Sequence, residues 1–445
     1  MVPALALAFL VSATDSPPPT GEASIPFETY VLENGLHVIL SEDHSVPFVQ
    51  VNLWYGVGSK DEVKGRTGFA HLFEHLMFQG SAHHDDEYFG PLMPIGARVN
   101  GTTNTDRTNY FEGVPSSYLP LALWLESDRL GWLLPALTDE KIQNQKDVVR
   151  NERRQRYDNA PYGQVPMWLR EALYPEGHPY RVPTIGLHED IEAATPEDVK
   201  AFFQKWYTPN NAYLAIVGDI DPTETRQLVT RYFGDIPRGP DAHPMLDAKA
   251  SLSEEKVVRK PSKVPLDKVW IAWLSPAIYA DGDAALDVAS AILADGKDSP
   301  LYKRLVRDKK VATDINAYQA SARLDSNFMI EATAAPGHTT DEVVAEVDKV
   351  LAEFLKAPPT TEQVTVARLR IERSFFEGLQ SIATKANQLN GYAYVTGDPG
   401  FIGKDLARYR ALTPEVVGAA AKTWIGSKNR VVLHVFPEAK AGGAK

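Results

Sequence analysis

The sequence predicts an α+β fold built from two related halves, each with a largely antiparallel sheet flanked by helices. Strand-like and helix-like segments alternate along the chain without the regular rhythm of parallel βαβ units. Similar helix–strand units recur at a constant offset in the first and second parts of the chain. A segment rich in Pro, Lys and Glu separates these two parts. The 445 residues are sufficient for two domains of ordinary size.

Residues 1–24 predict a signal-like segment followed by a tether. The run MVPALALAFLVSATDS is apolar and ends near Val11-Ser12-Ala13, a pattern typical of a signal-peptidase site, although Lys60 is the first basic residue of the chain. We therefore expect a periplasmic or secreted protein, and the alternative is an ordinary flexible tail on a cytoplasmic protein. No later run approaches about 18 consecutive apolar residues, so no membrane span is expected.

The first half, residues 25–236, opens with a hairpin. ETYVLENGLHVILSED contains two alternating runs around Asn34-Gly35, a pair that favours a type I′ turn. FVQVNLWYGVGS predicts the next strand, and residues 67–79 have the length and apolar spacing of a helix. RVNGTTNTDRTNYFEGVP predicts two strands joined by a polar turn. DEKIQNQKDVVRNERRQRYDN predicts a helix with Asp139 as its N-cap.

Residues 237–265 predict a linker, and residues 266–440 predict a second half that repeats the first. Thr195 and Thr413 lie 218 positions apart, and each is followed by Pro-Glu, by a Trp 11 residues later and by an Asn 16 residues later. Coincidence between two helix–strand units is the alternative, and the three shared offsets disfavour it. The same offset places the opening polar motif of the first half on apolar residues of the second: His71, Glu74 and His75 fall on Ala289, Ile292 and Leu293.

The composition excludes several classes of function. The net charge is −12 and the sequence pI is near 5.5, whereas nucleic acids and anionic membrane surfaces require a basic face. The chain has no cysteine, so a disulfide framework, a thiolate metal site and a cysteine nucleophile are all excluded. Nucleic-acid binding is therefore not expected.

The stretch GFAHLFEHLMFQGS carries the strongest chemical signal. On a helix, His71 and His75 share one face, so both imidazoles can reach one metal ion. Glu74 projects beside that site and suits a general base that activates water. An H-x-x-E-H motif is a signature of inverted zinc peptidases. Core histidines with backbone partners are the alternative, but an i, i+4 pair with an acid between them is seldom of that kind.

A catalytic zinc site needs a third protein ligand, and Glu152 offers one, with 76 residues between it and His75. With this spacing the sequence resembles the pitrilysin/insulinase family of zinc peptidases, and within it the bacterial branch similar to mitochondrial processing peptidase. The resemblance covers nearly the whole chain, including HLFEHLMFQGS, NGTTNTDRTNYF, GHPYRVPTIG and YTPNNAYLAIVGDIDP. It implies two similar halves enclosing a chamber.

The resemblance also implies the roles of individual residues. His71, His75 and Glu152 would bind one zinc ion per chain, and Glu74 would be catalytic. An edge strand near the zinc would take the substrate as an added strand, a mode that reads backbone and tolerates many sequences. Substrate contacts would come from Asn100, Gly101 and Thr102 of that strand and from Arg307 of the second half. A hairpin with an Asn-Gly turn is the alternative for the strand segment.

Two positions depart from the family pattern. Gln145 stands seven residues before Glu152, where many relatives carry a second glutamate, so we expect it to support the site without a charge. In the second half, Arg307 is present, but the position of a substrate-contacting tyrosine falls on Thr313 or Asp314. The resemblance then implies a heterodimer in which this chain is the active subunit beside a metal-free homologous subunit; a homodimer is the alternative.

Together these observations predict a zinc metalloendopeptidase that hydrolyses peptide bonds of unfolded or extended polypeptides inside a chamber. The alternative is a non-catalytic structural or peptide-binding subunit of a heteromeric complex. Relatives that have lost the chemistry usually lack part of the H-x-x-E-H motif or the distal glutamate, whereas all four residues stand here.

Overall fold

The computed structural model describes residues 23–242, 244 and 247–438. The signal-like segment predicted for residues 1–24 therefore lies almost entirely outside the described residues. Among the described residues no helix combines the length and the apolar character needed to cross a membrane.

The first half contains a six-stranded sheet in the order β1-β2-β6-β3-β5-β4. All neighbouring strands in it are antiparallel except the pair β2–β6. The strands are β1 Glu28–Val31, β2 His37–Glu42, β3 Phe48–Tyr55, β4 Arg98–Thr103, β5 Thr108–Pro115 and β6 Ala212–Gly218. The helices are α1 Phe69–Leu76, α2 Leu119–Ala136, α3 Asp139–Arg153, α4 Val165–Leu173, α5 His188–Ala193, α6 Pro196–Trp206 and α7 Pro222–Phe233.

The second half contains a five-stranded sheet in the order β7-β11-β8-β10-β9, in which only β7–β11 is parallel among the described strands. The strands are β7 Lys256–Ser262, β8 Lys268–Ser275, β9 Ala312–Ala320, β10 Ser326–Ala334 and β11 Val431–Pro437. The helices are α8 Asp283–Ala294, α9 Thr340–Phe354, α10 Thr361–Gly378, α11 Ile382–Thr396, α12 Ile402–Arg410 and α13 Pro414–Trp424.

The two sheets confirm the predicted fold class: α+β, with two related halves that enclose a chamber. Strands β2, β6, β3, β5 and β4 have the same order and directions as β7, β11, β8, β10 and β9. Helices α6 and α13 lie at the predicted offset of 218 residues. Helix α8 takes the place of α1, and its Ala289, Ile292 and Leu293 are buried apolar residues, so the polar motif is confined to the first half.

Each half contributes one helix that packs on the sheet of the other half. Helix α11 of the second half lies against β3 and β6, where Leu389 and Ala393 share a core with Ile39 and Val217. Helix α4 of the first half lies against β8 and β11 in the same manner. We call α4 and α11 the exchanged helices. They bury apolar surface of both sheets, so each half depends on the other for a complete core.

Three local predictions from the sequence need correction. The predicted type I′ turn is wrong, because β1 and β2 are joined by residues 32–36 and Gly35 has a φ of 92° whereas Asn34 keeps a negative φ. The Asn34 side chain instead donates to the carbonyls of Phe233 and Ile236 at 2.8 and 2.9 Å. The predicted N-cap is also one residue too late, since the Thr138 hydroxyl accepts from the backbone N–H of Lys141.

The third correction concerns the predicted linker, residues 237–265, which includes strand β7. This strand pairs with β11 at the edge of the second sheet, and its side chains alternate between exposed and half-buried. An edge strand with Pro261 and several charges has the same composition as a connecting segment, which is why the sequence did not distinguish the two. The boundaries of the two halves stay a prediction.

Candidate metal centre

Helix α1 is fixed to the first sheet by its apolar face. Phe69, Phe73 and Leu76 are buried in the first core. The hydroxyl of Tyr110 on β5 donates to the carbonyl of Phe73 at 3.1 Å. With this face committed to the sheet, the histidines and the glutamate of the motif lie on the side of α1 that faces α3 and β4.

The start of α1 is held by carboxylates from other segments. The Glu62 carboxylate accepts from the backbone N–H groups of Gly68 and Ala70 at 2.8 and 2.9 Å. Asp190 accepts from the backbone N–H of Thr67 at 3.1 Å. Gly68 has a φ of 87°, and a Cβ there would lie 2.8 Å from the carbonyl of Ile185, so only glycine fits. These contacts satisfy N–H groups that a helix leaves unpaired and fix the direction of the short helix.

His71, His75 and Glu152 bring three donor atoms together. The Glu152 Oε2 atom lies 3.1 Å from His75 Nε2 and 3.7 Å from His71 Nε2. One ligand atom from each residue lies within 4.8 Å of the other two. A tetrahedral zinc ion with bonds of about 2.0–2.1 Å separates its donors by roughly 3.4 Å, so this spacing fits one ion.

The electrostatics of the three residues also suit a metal ion. Burial, reinforced by the neighbouring His75, lowers the pKa of His71 to about 4, so its imidazole is neutral and can donate a lone pair. The hydrogen bond with His75 lowers the pKa of Glu152 and keeps that carboxylate ionised. His71 Nδ1 is buried and has no hydrogen-bond partner among the described residues. Two imidazoles and one carboxylate form a donor set used by catalytic zinc, and we conclude that these residues fit that ion.

Glu74 lies next to the three donors but takes no part in their cluster. Its Oε2 atom accepts a hydrogen bond of 2.6 Å from the Thr103 hydroxyl on β4. Burial raises the pKa of Glu74, which brings the carboxylate closer to the range in which it can accept and release a proton near neutral pH. Gly101 lies so close that a Cβ there would be 3.0 Å from Glu74 Cγ. The strand can approach the carboxylate in this way because residue 101 has no side chain.

Strand β4 forms one wall of the cavity that holds these residues, and it is the last strand of its sheet. The cavity has a volume of about 580 Å³. Asn100, Gly101 and Thr102 lie within the strand, and the turn to β5 begins only at Asn104, so the alternative of an Asn-Gly turn is wrong. An edge strand beside the donor cluster is the arrangement that substrate pairing requires. Contacts of these three residues with substrate stay a prediction.

Other side chains around the cavity differ in how well the sequence predicted them. Gln145 is buried on α3 and lines the cavity together with Glu152. Arg156, in the helical turn after α3, donates to Glu152 Oε1 at 2.6 Å. Our sequence reading missed Arg156 and Thr103. The i, i+4 spacing of Arg156 from Glu152 was a signal for the first, whereas the bond from Thr103 to Glu74 depends on the packing of β4 on α1.

Arg307 lies apart from this group. It is not among the residues that line the cavity, and its guanidinium pairs with the adjacent Asp308 at 2.8 Å. More than half of its side chain is exposed, at 55%. Thr313 and Asp314, which occupy the tyrosine position, lie on β9, and the Thr313 hydroxyl donates to Asp314. The substrate contact of Arg307 stays a prediction.

Two sequence profiles of one peptidase family match consecutive parts of the chain. The profile described as insulinase (peptidase family M16) matches residues 37–181, which contain both histidines and both glutamates of the candidate centre. The profile described as the peptidase M16 inactive domain matches residues 193–371. The two matches together account for most of the chain.

Individual relatives agree with the profiles. The zinc protease PqqE of Helicobacter pylori is 28% identical over 371 residues, which is 82% of this chain and 83% of that protein. An uncharacterized zinc protease of Bacillus subtilis, YmxG, is 22% identical over 81% of this chain and 86% of that protein. The crystal structure of a protease from Helicobacter pylori superposes with a TM-score of 0.85 at 25% identity, covering 93% of this chain and all of that one.

Proposed function

Because the chain belongs to the insulinase family, peptidase family M16, we propose that it is a zinc-dependent endopeptidase that cleaves unfolded or extended polypeptides. The observation that carries the proposal is the convergence of His71, His75 and Glu152 beside an uncoordinated, buried Glu74. The three donors would hold one zinc ion per chain. Zinc in such a site supplies Lewis-acid chemistry, because it polarises the scissile carbonyl and lowers the pKa of water.

The residues of the chain divide the remaining work. Glu74 takes a proton from the attacking water and returns it to the leaving amine nitrogen. The Thr103 hydroxyl holds one carboxylate oxygen of Glu74, which leaves the other free to face the water. Arg156 pairs with Glu152 and keeps that carboxylate oriented toward the histidines.

The substrate would lie along β4 as an added strand. The backbone N–H of Gly101 donates to the Asn100 side chain at 2.9 Å, an exchangeable contact that a substrate carbonyl can replace. Asn100, Gly101 and Thr102 would then contact substrate backbone, and Arg307 would join them from the second half. Backbone pairing selects extended chains, so folded proteins are poor substrates.

We extend the proposal to assembly and location. Arg307 lies outside the cavity and the tyrosine position holds Thr313 or Asp314, so this chain lacks part of the apparatus that positions substrate. A metal-free homologous subunit would supply it in a heterodimer, and a homodimer is the alternative. The signal-like segment favours the periplasm or secretion over the cytoplasm.

A non-catalytic subunit is the competing proposal. It is favoured by the description of the profile on residues 193–371 as an inactive domain and by the position of Arg307. It is disfavoured by the complete donor set and by Glu74 in the first half.

Cleavage of a peptide decides between the two proposals. The purified chain is incubated with a quenched, unstructured peptide and zinc, with and without a chelator, and fluorescence is followed. Chelator-sensitive cleavage by the chain alone supports the peptidase and removes the need for a partner. If one zinc ion binds but no peptide is cut, the assay is repeated with candidate metal-free subunits, and continued inactivity favours the non-catalytic role.

Replacing Gln145 with glutamate is expected to tighten zinc binding by about ten-fold, because a charge is added beside the donors. Gln145 is buried in the wall of the cavity, two helical turns before Glu152. Zinc affinity is measured by competition with a chromophoric chelator. Gln143→Glu, an exposed change on the same helix, is the matched control. Equal affinities for Gln145→Glu and the original protein would contradict the supporting role of this position.

A further inference from the structure

A second cavity lies between the two halves, and the proposed chemistry does not use it. It has a volume of about 370 Å³. Its walls come from the β4–β5 turn, the β9–β10 turn and α11, one of the exchanged helices. Arg107 and Arg323 each line it, one from each half. We call it the arginine cavity.

The two arginines stack on a pair of aromatic rings. Arg107 lies 5.0 Å from the ring centroid of Trp54, and Arg323 lies 4.3 Å from that of Tyr394. The two rings are themselves in contact, with centroids 6.2 Å apart. Stacking holds both guanidinium groups in place, so their positive charges are concentrated in one partly enclosed space.

Neither arginine has its charge balanced. No acidic side chain lies within 4 Å of either guanidinium among the described residues. Arg107 Nε, Arg323 Nη1 and Trp54 Nε1 are buried without hydrogen-bond partners. Burial lowers the pKa of Arg107 to about 10, the direction expected of a desolvated cation without a close counter-charge.

The acidic residues of the cavity wall are engaged elsewhere. Asp106 accepts from the Tyr180 hydroxyl at 2.7 Å and from the backbone N–H of Arg323 at 3.1 Å. Asp405 accepts from Tyr392 and Arg408 at 2.8 Å each. The cavity therefore offers donors and positive charge to an anion and no free carboxylate to a cation.

The cavity continues the surface on which substrate would lie. Strand β4 lines the metal cavity with residues 100–103, and residues 104–107 line the arginine cavity. Arg107 donates to the Thr102 carbonyl at 2.7 Å and so links the two sites. From Gly101, beside Glu74, to Asn104 the distance along an extended chain is roughly 10 Å, or three residues.

We propose that the arginine cavity binds a carboxylate of the peptide lying along β4, about three residues from the bond that is cut. The proposal rests on the proposed function, because that function places peptide on β4. The carboxylate is an acidic side chain or the C-terminal carboxylate of a short product or substrate. It would accept from Arg107 and Arg323 and balance both charges. The cavity thus makes the enzyme selective for acidic peptides at one position.

Peptide binding tests the proposal without requiring turnover. The full chain is stripped of metal with a chelator so that nothing is cut, and dissociation constants of fluorescent peptides are measured by anisotropy. The peptides are amidated and carry Glu or Gln three residues to either side of the central bond. A further Gln peptide ends in a free carboxylate at the same distance, which distinguishes a terminal carboxylate from a side chain.

The original protein is expected to bind one Glu peptide, or the free-carboxylate peptide, about ten-fold or more tightly than the amidated Gln peptide. The ratio should fall to about one in Arg323→Gln and be partly kept in Arg323→Lys, which preserves the charge. Arg373→Gln removes an exposed arginine paired with Glu377 and should keep the full ratio. Equal affinities in the original protein, or a preference that survives Arg323→Gln, would overturn the proposal.

Adding zinc to the same peptides separates the two hypotheses. Carboxylate-selective binding without cleavage would leave the arginine cavity standing and count against the peptidase. Cleavage of all peptides with equal affinity would support the peptidase and remove the arginine cavity as a specificity site.

Discussion

Glu74→Gln is expected to keep zinc bound and to lower the turnover number by about 10²–10⁴-fold. The amide cannot accept the proton of the attacking water, while the three donor atoms of His71, His75 and Glu152 are left unchanged. Thr103 can still donate to the amide oxygen, so the side chain keeps its position. The measurements are zinc content by elemental analysis and turnover of a quenched peptide with enough zinc to saturate the site.

Glu171→Gln is the matched control for this variant, because Glu171 is an exposed glutamate on α4, far along the chain from the donor set. It should retain both zinc and turnover. Turnover of Glu74→Gln at the level of the control would exclude Glu74 as the general base. Loss of zinc from Glu74→Gln would show instead that this carboxylate supports the metal site.

Glu152→Gln is expected to weaken zinc binding by more than about 100-fold and so to abolish cleavage at ordinary zinc concentrations. The substitution removes the anionic donor whose Oε2 lies 3.1 Å from His75 Nε2. It also leaves the Arg156 guanidinium, which now pairs with Oε1, as an uncompensated positive charge beside the site. Zinc retained after dialysis against a weak chelator is the measurement.

Glu140→Gln on the same helix is the control, because Glu140 is exposed in the first turn of α3. Its zinc content should match that of the original protein. Full zinc occupancy in Glu152→Gln after the same dialysis would remove Glu152 from the set of metal ligands.

The sequence predicted the candidate centre well because its parts are local or carry a distinctive spacing. His71, Glu74 and His75 lie within one turn of a helix, and helical geometry alone places them together. Glu152 required the resemblance, since 76 intervening residues have no geometry that a pattern can read. The structure brings these side chains together, and their roles as ligands and base are tested by the substitutions above.

Features that depend on contacts between distant segments were not predictable. Asn34 looked like a turn residue, but its side chain is bound by carbonyls of residues 233 and 236, about two hundred positions away. The arginine cavity joins Arg107 to Arg323 through aromatic side chains of two other elements. Helices α4 and α11 have ordinary amphipathic patterns, and nothing in them shows which sheet they cover. In each case a tertiary partner decided the outcome.

The exchanged helices also bear on how the chain arose. The two halves share one topology, and each leaves part of its own sheet to be covered by the equivalent helix of the other. A single half, produced alone, would expose that apolar face, but two identical copies could cover each other with twofold symmetry. The ancestral unit before gene duplication was therefore a domain-swapped homodimer. Fusion of its genes made the pairing permanent and allowed one copy to keep the metal site while the other lost it.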